Sequence, residues 1–579
     1  MKKKWSILSP DHNQGCSLAG ALGCHPAVAT VLINRGISTP GRAACFLKSS
    51  LAHVRSPFLM KDMDRAVSRI LLALQRGEKV VIFGDYDADG ITATALLFRF
   101  LTYLDMDVDY YIPDRLTEGY GLSRDYVENH AIPHGIGLII TVDCGISSHE
   151  AVRVAHSAGV DVIIADHHEV PPLVPAAFAT LNPKQPTCTS GFTWLAGVGV
   201  VFNLVLGLRK RLRDEHFWRT RSEPNLKAAC DLVALGTVAD MVPILEENRI
   251  YVKAGLEVLA SGARPGVRAL LDVCHISDRA LDTRDLAFKL APRLNAAGRL
   301  RHGSLGFELL TTSSVQTART IAQELNQENT RRQDIEKHIL SDISRRLETN
   351  PQLLGKRSLV LDHQGWHVGV IGIVASRLVE QYVRPVVLIA VADGLGKGSA
   401  RGPAAAGFDL FEALKGCAHC LEKFGGHQAA AGLTLKAEKI PGFRTQFEKI
   451  VSQTAAAEDF IPKLVIDSKI SPAEISPKLA DELEQLAPFG TGNPEPLFML
   501  SDMDVLSARI VGASHMQMRL RPSSPPGAEQ TRPLDAILFH AGSDEPHPKR
   551  FHRIACHVRW NRWRDRKSIQ LVIKDFVAG

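Results

Sequence analysis

Two hydrophobic periods alternate along the chain and divide it into regions. Over residues 79–174, short apolar runs are separated by segments whose apolar positions recur at helical spacing. This is the pattern of successive βαβ units around a parallel sheet. Val80–Phe83, Leu138–Val142 and Asp161–Ala165 read as buried strands, and residues 147–158 as a helix ending at Gly159, a residue that commonly stops one. Further on, residues 314–347 place Ala318, Ile321, Ala322, Leu325, Ile335, Ile339, Ile343 and Leu347 near one helical face, with charge elsewhere. Unless it breaks at 326–329, this connector spans about 50 Å at a rise of roughly 1.5 Å per residue, enough to join two lobes across a cleft.

After Asn350-Pro351 a second, smaller α/β region runs from 358 to about 435, with strands expected at 358–361 and 385–390. From about 463 the pattern changes to short alternating strands, among them 498–505, 516–520 and 554–560, parted by loops that include the proline-rich 522–526. A small β-barrel is the natural expectation. The organisation predicted is a parallel-sheet α/β lobe with an N-terminal extension over 1–310, a connecting helix over 311–350, a smaller α/β lobe over 351–455 and a barrel over 456–579.

Composition narrows the class without naming a function. At 579 residues, 45% hydrophobic and 22% charged, the chain matches ordinary soluble multidomain proteins. A net charge of +6 is mild for this length, so attraction to a polyanion has to come from local patches. The ten cysteines have no framework spacing, and the one tight pair, Cys417 and Cys420, lacks the second pair a structural zinc site needs. No apolar run reaches the roughly 18 residues of a spanning helix, and none near Met1 is long enough for a signal peptide. A reduced, cytoplasmic setting away from membranes is the expectation.

Chemistry concentrates at the C-terminal ends of the predicted strands, where open α/β sheets bind ligands. One strand ends in Gly84-Asp85-Tyr86-Asp87-Ala88-Asp89-Gly90, the next in Asp143-Cys144-Gly145, the third in Asp166-His167-His168-Glu169, and Asp240 follows the apolar segment 232–239. A single aspartate after a strand is as often a helix cap or turn residue. This many carboxylates at one sheet edge repel unless hard divalent cations compensate them. A histidine among the ligands favours manganese or similar metals, with magnesium also open. Two such ions can activate water and stabilise the leaving oxygen of an in-line displacement at phosphorus, so phosphoester hydrolysis is the expected reaction.

These motifs, in this order, resemble the DHH phosphoesterase superfamily, named for the triplet seen here as Asp166-His167-His168. A second lobe resembling the DHHA domain carries Gly425-Gly426-His427-Gln428-Ala429-Ala430-Ala431-Gly432. Within the superfamily the chain is most similar to the RecJ single-stranded-DNA exonuclease family. The likeness rests on Pro292-Arg293-Leu294-Asn295-Ala296-Ala297-Gly298-Arg299, Gly396-Lys397-Gly398-Ser399-Ala400-Arg401-Gly402 and Pro488-Phe489-Gly490-Thr491-Gly492-Asn493-Pro494, the last followed by a tail resembling an OB-fold domain.

The resemblance implies a two-metal centre of Mn2+ or Mg2+ held by Asp87, Asp89, Asp143, His167 and Asp240, with Asp85 a ligand or close support and His168 facing the substrate phosphate. Many DHH hydrolases carry a histidine where this chain has Phe83, which leaves the first metal's shell to Asp85 or Asp240. Arg299, Ser399 and Arg401, with Gly425, Gly426 and His427, match positions that grip a terminal phosphate. In the tail, Arg559, Trp560, Arg562, Trp563 and Arg564 interleave cations with aromatics, as a single-strand platform would, or as a packed hairpin with solvated charges would.

The implied activity is 5′-to-3′ exonuclease action on single-stranded DNA in repair and recombination, beside a helicase and a single-strand-binding protein. A phosphodiesterase of short oligonucleotides or cyclic dinucleotides, and a DNA-binding scaffold without metals, are the alternatives. The tail speaks against the first and the intact acidic set against the second.

Overall fold

The apolar runs at Val80–Phe83, Leu138–Val142 and Asp161–Ala165 form strands at the bounds the sequence predicts. With Val108–Tyr111 and Ala179–Leu181 they make a five-stranded sheet in which each neighbouring pair is parallel, in the order 108–111, 80–83, 138–142, 161–165, 179–181. Strands buried on both faces need no polar alternation. One face packs under Met63–Arg76, Ala88–Tyr103, Gly197–Asp214 and Cys230–Ala239, the other under a smaller cluster that includes Tyr126, Val152 and Ala155. Parallel pairing brings all the C-terminal strand ends to one edge. The computed structural model describes residues 3–115, 117–276, 280–300, 303–403, 408–512, 514–523, 532–541, 548–563 and 566–579.

The predicted connector is a continuous helix, Val315–Thr349, of 35 residues with no break at 326–329; its N-cap Ser314 accepts from the Thr317 amide. Its single apolar stripe serves two cores in turn. Ala318, Ile321, Ala322 and Leu325 close the first lobe, while Ile339, Ile343 and Leu347 close the second. The second lobe has a mixed sheet in the order 423–426, 430–436, 395–401, 386–392, 359–363, with only Leu359–His363 and Val386–Ala392 parallel. Cys417 and Cys420 are free thiols buried in its core.

The tail closes on itself. Phe498–Val511 pairs with both His515–Pro522 and Arg550–Trp563, and Leu534–Leu538 runs parallel to Arg566–Ala578, giving a closed barrel. The first helices, read from sequence as an extension of the catalytic lobe, pack on this barrel instead. Val28, Val31 and Leu32 share one core with Leu479, Leu483, Phe498 and Phe551. Lys4–Ile7 pairs in parallel with Lys463–Ile466, and Trp5 Nε1 donates to Asp575 Oδ2 at 2.7 Å.

Arg249 ties this unit to the parallel-sheet lobe. It is 1% exposed, and its guanidinium lies 3.8 Å from the Phe46 ring centroid. It donates to Ser49 Oγ and to the carbonyls of Phe46, Gln485, Leu486, Ala487 and Pro488. Truncating one side of such a buried set leaves the carbonyls unpaired. Arg249→Ala should therefore cost about 3 kcal/mol or more in chemical denaturation, and Arg249→Lys should recover only a minor part, because an ammonium cannot span these acceptors. A loss below about 1 kcal/mol for Arg249→Ala would show that the hub contributes little.

Candidate metal centre

The acidic residues at this edge are placed by different local devices. After Val80–Phe83 the chain turns into the helix Ala88–Tyr103, whose N-cap Asp87 accepts from the amides of Asp89 and Gly90 through Oδ1. Asp143, after Leu138–Val142, has φ 61°, a left-handed conformation that aspartate tolerates better than most residues. The helix Gly197–Asp214 abuts it so closely that a Cβ on Gly197 would lie 2.4 Å from Asp143 Oδ1. The same helix start fixes Asp89, whose Oδ2 and Oδ1 accept from the amides of Gly197 at 2.7 Å and Val198 at 2.9 Å. Asp240 caps the C-terminus of Cys230–Ala239, and Met241 after it is again left-handed, with φ 63°.

Side chains far apart in sequence converge here. His167 Nε2 lies 3.2 Å from Asp143 Oδ1, 3.5 Å from Asp240 Oδ2 and 3.9 Å from Asp89 Oδ2. Ligand atoms of three overlapping sets, Asp89–His167–Asp240, Asp85–Asp87–Asp143 and Asp143–His167–His168, each lie within 4.8 Å of one another. Asp85 Oδ1, Asp143 Oδ1 and His167 Nε2 are buried without a hydrogen-bond partner. Polar atoms so placed ordinarily find partners, and a hard cation accepts lone pairs from all three. The donor set fits divalent metal.

Electrostatics agree. Burial, then the neighbouring carboxylates, raises Asp85 and Asp143 well above the usual carboxylate range. The same causes raise Asp89 to about 7 and Asp240 to about 8. Burial, then the charge of His168, lowers His167 to about 3, so its imidazole is neutral, the form that ligates. Asp166 stands apart, accepting from the amides of Ile146, His167 and His168 and from His168 Nδ1 at 2.8 Å. Burial opposes charge on both partners, but this hydrogen bond outweighs it, lowering Asp166 to about 2 and raising His168 to about 9.

Arg299, Ser399 and Arg401 meet at the start of the helix Val368–Tyr382. Arg299 donates to the Gly369 carbonyl at 3.2 Å, Arg401 donates to Ser399 Oγ at 3.0 Å, and a Cβ on Gly372 would lie 3.0 Å from Ser399 Oγ and 3.1 Å from Arg401. Burial, followed by repulsion from Arg115 and Arg332, lowers Arg299 to about 10. Excess cation at a helix N-terminus is an arrangement for an anion. Gly425, Gly426 and His427 lie on the exposed end of Lys423–Gly426; Gly426 has φ 145°, where a Cβ would lie 2.4 Å from the Ala430 carbonyl oxygen. The charge of His427 contributes to lowering Glu169, after its hydrogen bond with Lys184.

In the tail the cations meet acidic partners. Arg559 is engaged by Glu495, Arg562 by Glu484 at 2.6 Å, and Trp560 Nε1 donates to Asp481 at 2.9 Å. The cationic strip therefore lies against acids folded back from 481–495. Trp563 ends its strand, its side chain and Arg564 lying outside the described residues.

Phe83, at the position where many DHH hydrolases have histidine, packs against the rings of Tyr111 and Tyr126 at centroid distances of 5.5 and 4.9 Å. Two neighbours were given no role from the sequence. Tyr120 places its hydroxyl 3.1 Å from both the Asp143 carbonyl oxygen and His168 Nδ1, and Asn295 Oδ1 accepts from the Ala88 amide at 2.7 Å. Gly119 and Gly121 around Tyr120, both with positive φ, were the available signal.

Three family models match the chain: the DHH family N-terminal domain over residues 79–237, the DHHA1 domain over 355–453 and the RecJ OB domain over 466–575. Among curated proteins it is 37% identical to the single-stranded-DNA-specific exonuclease RecJ of Bacillus subtilis, over 99% of this chain and 71% of that protein. It is also 37% identical to RecJ of Escherichia coli, over 95% and 96%. Among solved structures it resembles RecJ from Thermus thermophilus in complex with Mn2+, with a TM-score of 0.83, 29% identity and coverage of 100% of this chain and 80% of that one. The complex of the same protein with Mg2+ matches at 0.76 and 28%, covering 100% and 78%.

The raised carboxyls set a pH dependence. A carboxyl whose pKa rises on folding stabilises the folded chain fully below about pH 4, and that contribution is lost as pH climbs through its folded value, about 7 for Asp89 and about 8 for Asp240. Metal-stripped protein should therefore lose Tm as pH rises across this window. Added Mn2+ should restore more at its upper end than near about pH 5. Equal Mn2+-induced shifts at both ends would contradict the assignment.

Proposed function

Because the chain belongs to the RecJ family of single-stranded-DNA-specific exonucleases, we propose that it hydrolyses single-stranded DNA from the 5′ end to 5′-mononucleotides, using Mn2+ or Mg2+. The observation that carries this is the buried acidic cluster with unpartnered Asp85, Asp143 and His167 atoms beside the Arg299–Ser399–Arg401 group.

Asp85, Asp87, Asp89, Asp143, His167 and Asp240 are the proposed ligands of two cations. The cations, when bound, lower the pKa of water and offset charge that builds on phosphate oxygens. The protein does the rest. Gly197 and Val198 amides orient Asp89. Asn295 braces the helix start at Ala88, next to Asp87. Asp166 holds His168 by Nδ1, leaving Nε2 of a protonated ring for the scissile phosphate. Tyr120 places its hydroxyl against the same Nδ1. Arg299, Ser399 and Arg401 take the terminal 5′ phosphate, with Gly425, Gly426 and His427 at the facing lip. The terminus, not the metals, then sets direction. Repair and recombination in the cytoplasm, beside a helicase and a single-strand-binding protein, complete the reading. Among the described residues no single helix is long and apolar enough to cross a membrane.

Asp143→Ala should lower hydrolysis of a long single strand by about a thousandfold or more, the several kcal/mol a metal centre supplies, while strand binding in gel shift largely persists. Near-wild-type turnover would remove Asp143 from the centre. A strand with a 5′ phosphate should be degraded about tenfold faster at limiting concentration than one ending in a 5′ hydroxyl, and Arg401→Ala should erase that preference. Earlier release of 3′-end label, or a preference that survives in Arg401→Ala, would refute the terminal pocket.

A further inference from the structure

Next to Asp240 in sequence, Met241 helps line a cleft of about 270 Å3 between the catalytic lobe and the approach to the barrel. Its walls are Met241 and Phe288 from the lobe and Phe489 from the segment leading to the barrel. Met241 is 72% exposed and Phe288 77%. Both belong among the most exposed large apolar side chains described, and both face this one cleft.

Each is set there by irregular backbone. Met241 is left-handed, φ 63°, an unfavourable conformation for a residue with a long side chain. This turn lets Asp240 point into the acidic cluster while its neighbour points into the cleft. Phe288 sits in the π-helical stretch Leu286–Leu290, and π-turns inside helices concentrate at functional sites. Strain of this kind persists where the surroundings hold it and use it.

The cleft runs from Val238 and Met241, which flank Asp240 in sequence, to Pro494 and Glu495 before the barrel strand Phe498–Val511. At that far rim Glu495 is held by Arg284 at 2.6 Å and by Arg559, so a single carboxylate faces two guanidiniums and positive charge remains. Apolar stacking walls with a cationic rim are what a single strand requires when bases are to be held without regard to sequence.

We propose that this cleft receives nucleobases of the single strand on the 3′ side of the scissile bond, stacked on Phe288 and Met241 as the strand passes from the barrel to the metals. The inference rests on the single-strand reading above and adds to it a base-binding subsite. It makes Phe288 a determinant of preference for strands long enough to reach it. Sequence recognition plays no part, because the walls offer faces and few hydrogen bonds.

The test uses the full chain with Mn2+ and two 5′-phosphorylated substrates, a long single strand and a dinucleotide. Phe288→Ala should lower the ratio of kcat/KM on the strand to kcat/KM on the dinucleotide by about tenfold, the scale of one base–aromatic stack. Phe288→Trp should keep the ratio and Phe288→Leu should lose most of it. In strands carrying 2-aminopurine at successive positions, quenching on binding should be confined to a few positions near the 5′ end and should vanish in Phe288→Ala. A wild-type enzyme that cuts strands, together with a Phe288→Ala ratio equal to its own, overturns the subsite and leaves the exonuclease reading standing. So does an equal loss on both substrates, which would place the effect at the metals. A wild-type protein that cuts no single strand overturns the parent reading, and this one with it.

Discussion

Everything in the catalytic lobe answers to one constraint: several carboxylates and a neutral imidazole are packed at a single sheet edge, out of water. Burial and mutual repulsion make ionisation of Asp85, Asp89, Asp143 and Asp240 costly. The fold meets that cost partly with the amides at the start of Gly197–Asp214 and partly by leaving lone pairs on Asp85, Asp143 and His167 for a cation. The glycine at 197 is required because the helix start has to touch Asp143, and the left-handed turns at Asp143 and Met241 are the backbone adjustments that aim neighbouring residues in opposite directions.

Asp166 shows how one acidic residue escapes this regime. It is as buried as its neighbours, yet it is held low because three amides and His168 satisfy it. Within the triplet, Asp166 accepts from His168 Nδ1, while His167 Nε2 lies against Asp143, Asp240 and Asp89. Carboxylates of equal burial differ in chemistry according to who donates to them.

Much of this was legible in the residues alone. Buried parallel strands are short continuous apolar runs, so Val80–Phe83, Leu138–Val142 and Asp161–Ala165 could be read to the residue, and the motifs after them fell at the correct edge. The long helix was legible because one stripe persists over its length. What escaped was set by contacts between distant segments. A run of arginines near 559–562 looks cationic until Asp481, Glu484 and Glu495 fold against it. The helices of residues 12–47 look like a preface to the catalytic lobe until their apolar faces meet the barrel. Tyr120 belongs to no motif, Asn295 lies within the 292–299 motif without an evident role, and both act through the loop they reach.

The pairing of Lys4–Ile7 with Lys463–Ile466, and of Trp5 with Asp575, has a consequence for biosynthesis. Trp5 and its partner are 570 residues apart. At ribosomal speeds of about 5–20 residues per second, the N-terminal strand and its helices wait roughly half a minute to two minutes before the barrel that covers them has emerged. During that interval the first lobe, whose sheet and helices are close in sequence, can complete itself while Val28, Val31 and Leu32 remain without their core. This segment, made before the catalytic lobe, is then among the last to dock, and a nascent chain halted before the barrel leaves the ribosome would display an apolar surface for chaperones to hold.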